Sequence, residues 1–189
     1  MRRIFNLLLK KNEKKPVYGL YRFANQINYA SPSVFSFGIT WAECDKIVMD
    51  VYGLTTDKNY MLASSNVCGI GYNPGTAAAF NFYQVKNGKS NVSPAEITDG
   101  KRHTVEFTFT NTSTAEITNT WDRNWAPVCG YISIEFWKGD TLLKRFVPST
   151  DDLGYDSSGN VYANHMVDTV SGNKIQASIG SRYFLQEVQ

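Results

Sequence analysis

From residue 17 onward, apolar and polar side chains alternate with a period of two, the pattern of strands buried on one face. The clearest run is His103-Thr104-Val105-Glu106-Phe107-Thr108-Phe109-Thr110, with Val105, Phe107 and Phe109 on one face and Thr104, Glu106 and Thr108 on the other. The run from Tyr131 to Trp137 repeats this with Ile132, Ile134 and Phe136 inward, and residues 45–52 place Ile47, Met49 and Val51 together. Weaker runs at 17–24, 33–39, 58–63, 67–72, 77–85, 115–118, 141–147, 161–167, 174–179 and 183–185 predict further strands. Tight-turn residues separate them: Lys86-Asn87-Gly88-Lys89, Lys138-Gly139-Asp140, Ser157-Ser158-Gly159-Asn160 and Ser171-Gly172-Asn173. No helical period follows Pro16. About a dozen short strands with regular turns predict an all-β, antiparallel jelly-roll β-sandwich over residues 17–189.

Residues 1–16 stand apart. Ile4, Phe5, Leu7, Leu8 and Leu9 form an apolar patch between Arg2-Arg3 and Lys10-Lys11, and Pro16 ends any helix there. The patch is too short for a signal peptide's apolar region of about 7–15 residues and leads into Lys and Glu instead of a small-residue cleavage site. It is also far short of the roughly 20 residues of a membrane span. Docking to a protein partner is the favoured reading, against packing on its own domain and, behind both, a helix lying on a membrane.

Composition sharpens this picture. The 189 residues are 42% hydrophobic and carry 11 Tyr, 11 Phe and 4 Trp, so a real core is expected and global disorder is excluded. Residues 1–15 hold six bases against Glu13 alone, while the remaining 13 bases face 16 acids. A mildly acidic body lacks the basic face that nucleic acid demands, so no nucleic-acid partner is expected. Cys44, Cys68 and Cys129 form an odd set without a C-x-x-C pair, which favours three buried thiols over zinc or a disulfide framework. No metal and no cofactor are expected.

Candidate chemistry is sparse. Glu43-Cys44-Asp45 begins the Glu-x-Asp-x-x-Glu pattern of some glycanases, but Val48 stands where the second carboxylate is required, so the pair reads as a loop-to-strand junction. Gly88-Lys89-Ser90 lacks the first glycine and the helix of a phosphate-binding loop. His103 and His165 read as strand residues. Asp151, Asp152 and Asp156 cluster in one loop, as calcium ligands do, but their spacing fits ordinary turn formers better. The most suggestive feature is Trp121-Asp122-Arg123-Asn124-Trp125: aromatic rings suit the C–H faces of sugars, and Asp, Arg and Asn suit their hydroxyls. The competing reading, given more weight, is that both Trp plug the sandwich end or a subunit interface.

The C-terminal third carries a family resemblance. Leu142-Leu143-Lys144-Arg145-Phe146-Val147-Pro148, then His165-Met166-Val167-Asp168-Thr169-Val170-Ser171-Gly172-Asn173, then Ala177-Ser178-Ile179-Gly180-Ser181-Arg182-Tyr183-Phe184 resembles a block of concanavalin A-like (LamG-like) jelly-roll domains. Such domains occur in bacteriophage structural proteins and in surface proteins of gut bacteria. The resemblance is close over residues 141–185 and loose from Ile27 to Leu185; the usual opening motif is absent around Gln26-Ile27-Asn28-Tyr29. It implies the fold but no particular ligand, because the scaffold hosts lectins, glycanases and structural modules alike. The expectation is a non-enzymatic virion component, such as a capsid decoration, head-fibre or tail accessory protein. It would be made in the host cytoplasm and anchored to other virion proteins through residues 1–16, with homo-oligomerisation and binding of host or mucosal glycans open. The alternative is a carbohydrate-binding module of a bacterial surface protein.

Overall fold

The computed structural model describes residues 16–21, 35–57, 60–72, 79–119, 130–151, 153–155, 157–163, 165–177 and 184–188. Their elements are, in chain order, β1 (Val17–Tyr21), β2 (Ser36–Thr40), β3 (Lys46–Tyr52), β4 (Tyr60–Ser64), β5 (Gly69–Tyr72), β6 (Asn81–Tyr83) and β7 (Lys86–Ser90). Then follow the one-turn helix α1 (Pro94–Ile97), β8 (His103–Thr110), β9 (Glu116–Thr118), β10 (Gly130–Lys138) and β11 (Thr141–Pro148). The chain closes with β12 (Gly154–Tyr155), β13 (Val161–Tyr162), β14 (His165–Asp168), β15 (Lys174–Gln176) and β16 (Phe184–Val188). Every pairing is antiparallel. The protein is an all-β sandwich of two antiparallel sheets. In the larger sheet β7, β8, β3, β10, β11, β14 and β15 lie side by side, and β1, β16, β13 and β12 join where Leu20 meets Tyr131. The smaller sheet has the order β2-β9-β4-β5-β6.

The period-two pattern selects what lies between the sheets. Val105, Met49 and Ile134 form one cross-strand row of the larger sheet, and Phe107, Ile47 and Phe136 form the next; all six are fully buried. From β2, Phe37 reaches across to Phe136 and Phe146, each at 5.2 Å between ring centroids. Trp41 meets Phe109 at 5.3 Å, and Phe80 meets Phe107 edge-on at 5.0 Å. Burying each such side chain is worth roughly 1.5–3 kcal/mol, so this aromatic layer is the main force joining the sheets. Polar bonds add direction. The Tyr131 hydroxyl of β10 points at the carbonyls of Met61 and Leu62 at 3.3 and 3.5 Å, and the Lys144 ammonium of β11 donates to the Phe37 and Gly38 carbonyls at 3.1 and 2.6 Å.

Four local expectations change. Alternation puts Ile132 inward with Ile134 and Phe136, but the register of β10 with β3 shifts between Tyr131 and Ser133, and it is Tyr131, paired with Val51, that joins the core. Lys86-Asn87-Gly88-Lys89 is not a hairpin turn but lies inside β7, where Asn87 takes a left-handed φ of 52° and the register with β8 slips. Gly88 is required there because a Cβ would run into the Phe82 ring. The run 161–167 divides into β13 and β14. A short helix also forms where no helical period exists: Ser93 donates its N–H and its hydroxyl to the Glu96 carboxylate at 2.7 and 2.8 Å, and Pro94 supplies a preset φ at the first position.

Candidate functional site

The two site segments expected from the sequence, Trp121 to Trp125 and Ile4 to Leu9, lie outside the described residues, as do Asp152 and Asp156. Asp151 is described; its backbone N–H bonds the Ser149 hydroxyl at 3.2 Å and its carboxylate pairs with Lys174 at 2.9 Å. Among the described residues no group of three or more His, Cys, Asp or Glu side chains converges as metal ligands would, and no helix is long and apolar enough to cross a membrane.

Glu43 and Asp45 occupy turns at the end of the sandwich. The Glu43 carboxylate accepts the Thr40 N–H at 2.7 Å and the Thr40 hydroxyl at 2.8 Å, and these bonds hold its pKa below the ordinary carboxylate value. Asp45 accepts the Gly139 N–H at 3.0 Å and faces Lys138 at 3.8 Å, tying the β2–β3 connection to the β10–β11 turn. His103 bonds Asp99 through Nε2 at 2.6 Å. Asp168 is nearly fully buried and organises the turn into β15, accepting the backbone N–H groups of Arg145 and Val170 at 3.1 and 3.0 Å and the Ser171 hydroxyl at 2.7 Å. Burial alone pushes its carboxyl up, but those three bonds, with the Lys144 charge nearby, outweigh it and leave the pKa lowered.

A groove of about 500 Å³ opens at one edge of the sandwich, between β6 and the β7–α1 segment, lined by Phe80, Phe82, Val92, Lys89, Asn91 and Glu96 among others. Its carboxylate is already held in the α1 cap.

The richest array of functional side chains lies on the outer face of the larger sheet. Alternation that turns Ile134 and Phe136 inward necessarily turns Glu135 and Trp137 outward. The register then aligns Glu106, Val48, Glu135 and Arg145 in one row across β8, β3, β10 and β11, and Thr108, Lys46 and Trp137 in the next. Glu135 receives the Trp137 indole N–H at 3.0 Å on one oxygen and the Arg145 Nε–H at 2.9 Å on the other. The Lys46 ammonium sits 4.7 Å from the Trp137 ring centroid, a cation–π contact. Two residues beyond Val48 on β3, Asp50 is gripped by two nitrogens of Arg102, the residue before β8. Sequence reasoning placed Trp137 at the end of a strand but not on this face beside these partners. The available signal was the alternation itself, which set Glu106 opposite the core and, carried along the run 131–137 from Ile134 and Phe136, would have put Glu135 and Trp137 there too.

Comparison with family models, with curated proteins and with solved structures finds no match for this chain.

Proposed function

We propose that the chain is a non-enzymatic structural protein of a bacteriophage virion: a capsid decoration, head-fibre or tail accessory component whose sandwich is a concanavalin A-like jelly roll displayed outward. The observation carrying this reading is the resemblance over residues 141–185. Its support in the fold is that the strand ending in Pro148 and the Asp168-to-Gly172 turn are adjacent parts of one unit, β11–β14–β15, locked by the Asp168 carboxylate. The absence of catalysis is supported by the fate of Glu43 and Asp45, both committed to turns. In this reading Ile4, Phe5, Leu7, Leu8 and Leu9 bind a groove on another virion protein, and the six cations around them suit an acidic rim.

Mass spectrometry of purified particles tests this directly: the protein is expected among the virion components at a fixed stoichiometry. Deleting residues 1–15 is expected to abolish incorporation while leaving a cooperative thermal transition. A chain absent from particles, or recovered at a bacterial surface, overturns the virion reading in favour of the surface carbohydrate-binding module.

A further inference from the structure

We infer that the groove between β6 and the β7–α1 segment receives the Ile4-to-Leu9 segment of a second copy of this chain. Residues 4–9 keep the docking role proposed above, on which this contact rests, and a copy of the same chain is their partner. The groove is a preformed apolar seat. Phe80 and Phe82 stand edge-on to the core ring of Phe107, at 5.0 and 6.1 Å between centroids, and Phe82 also lies against Gly88. Half-buried Val92 packs on the same core, and Pro94 completes the wall. Side chains fixed in this way lose little freedom when a ligand arrives.

The polar groups around this seat are already committed. The Ser90 hydroxyl takes the Val92 N–H at 3.3 Å, the Asn91 side-chain oxygen takes the Glu106 N–H at 2.8 Å, and Ser93 and Glu96 bond each other. A ligand that needs many hydrogen bonds finds few partners here, whereas large apolar side chains find about 500 Å³ to fill. Lys89 and Glu96 are the charged lining residues among those described, and they balance each other. Complementarity lies beyond the rim. Residues 1–15 carry six bases against one acid, and residues 16–189 carry 13 bases against 16 acids, so the segment of one copy is attracted to the body of another.

Reach favours a second copy over the chain's own groove. Four pairing steps, β7–β8–β3–β10–β1, separate the groove's edge from β1. At about 4.8 Å per step that is about 19 Å of sheet before the β7 edge is rounded. Residues 9–16 span at most roughly 25 Å when fully extended, so docking on the chain's own body demands a nearly straight tether. A neighbouring copy's segment has no such constraint. The contact joins two different surfaces, so each copy offers one segment and one groove.

Sedimentation velocity of the full chain at rising concentration tests this contact. The parent is expected to reach the mass of a dimer or more. Leu7→Asp/Leu8→Asp breaks the segment, and Ala79→Arg sets a cation at the exposed rim of the groove. Each variant alone is expected to sediment as a monomer with its thermal transition kept. Mixed in equal amounts, they are expected to form a dimer and nothing larger, because only the intact groove of the first can take the intact segment of the second. If Ala79→Arg fails to fold, Val92→Asp takes its place. The contact is refuted if the parent stays monomeric throughout, if either variant alone associates as the parent does, or if the mixture remains monomeric. A monomeric parent that still enters particles overturns this contact alone. A chain that assembles in this way yet is absent from particles overturns the virion reading alone.

Discussion

Burial pushes the Cys44 thiol up to about 12, and the Asp45 charge beside it adds to the shift. Only thiolates alkylate quickly, so Cys44 is expected to resist iodoacetamide at pH 8 in the folded protein and to react once urea unfolds it. Peptide mapping reads both states, and rapid native labelling of Cys44 would contradict the packing around it. Asp168 is the opposite case: a buried group whose charge is stabilised. Asp168→Ala leaves the Arg145 and Val170 N–H groups without their acceptor, and a loss of about 2–3 kcal/mol in urea unfolding is expected. Asp168→Asn, which keeps one acceptor oxygen, is expected to lose less. At this scale the sequence marked the Ser171-Gly172-Asn173 turn, yet nothing in the string of letters said that Asp168 locks it to Arg145, 23 positions earlier.

Elements depend on neighbours that local pattern does not name. Gly130 begins β10, and a Cβ there would fall inside the Tyr52 ring of the paired strand; Gly19 on β1 meets the same ring. Both glycines are therefore space for an aromatic side chain and not hinge points. Gly130→Ala is expected to cost about 1–3 kcal/mol through overpacking, measured as a lower urea midpoint at unchanged slope. A Gly130→Ala protein as stable as the parent would mean that Tyr52 repacks freely. The same logic accounts for the misread Asn-Gly pair in β7. That dipeptide favours left-handed backbone, which serves a hairpin turn or a bulge equally well, and only the Phe82 ring against Gly88 decides between them.

At the scale of the whole molecule, acid is the expected weak point. The carboxyls of Glu43, Glu96, Asp99 and Asp168 are all held below their ordinary values, mainly by hydrogen bonds from Thr40, Ser93, His103 and Ser171 to the charged forms. A group whose folded pKa is depressed stabilises the fold above its unfolded value, about 4 for Asp and Glu, and that contribution fades as pH falls through the folded value. The melting temperature is therefore expected to hold between pH 7 and 5 and to drop below about pH 4; a flat profile down to pH 3 would show that these bonds do not bias folding. The sequence by itself determined the fold class, because period-two alternation admits no arrangement but half-buried strands that must pair face to face. It also determined the dry face where alternation is unbroken, as in β8, and so turned Glu106 outward. In β10 the register shift between Tyr131 and Ser133 brings Tyr131 into the core, and β4 and β5 are buried throughout, which the letters did not decide. Strand order and register belong to the tertiary structure alone. Pairing is made by backbone groups common to every residue, so the letters carry little record of which strand lies beside which. Only the closing of Phe37 onto Phe136 and Phe146, with Tyr131 and Lys144 reaching across, fixes the neighbours that bring Trp137, Glu135, Arg145 and Lys46 into one patch.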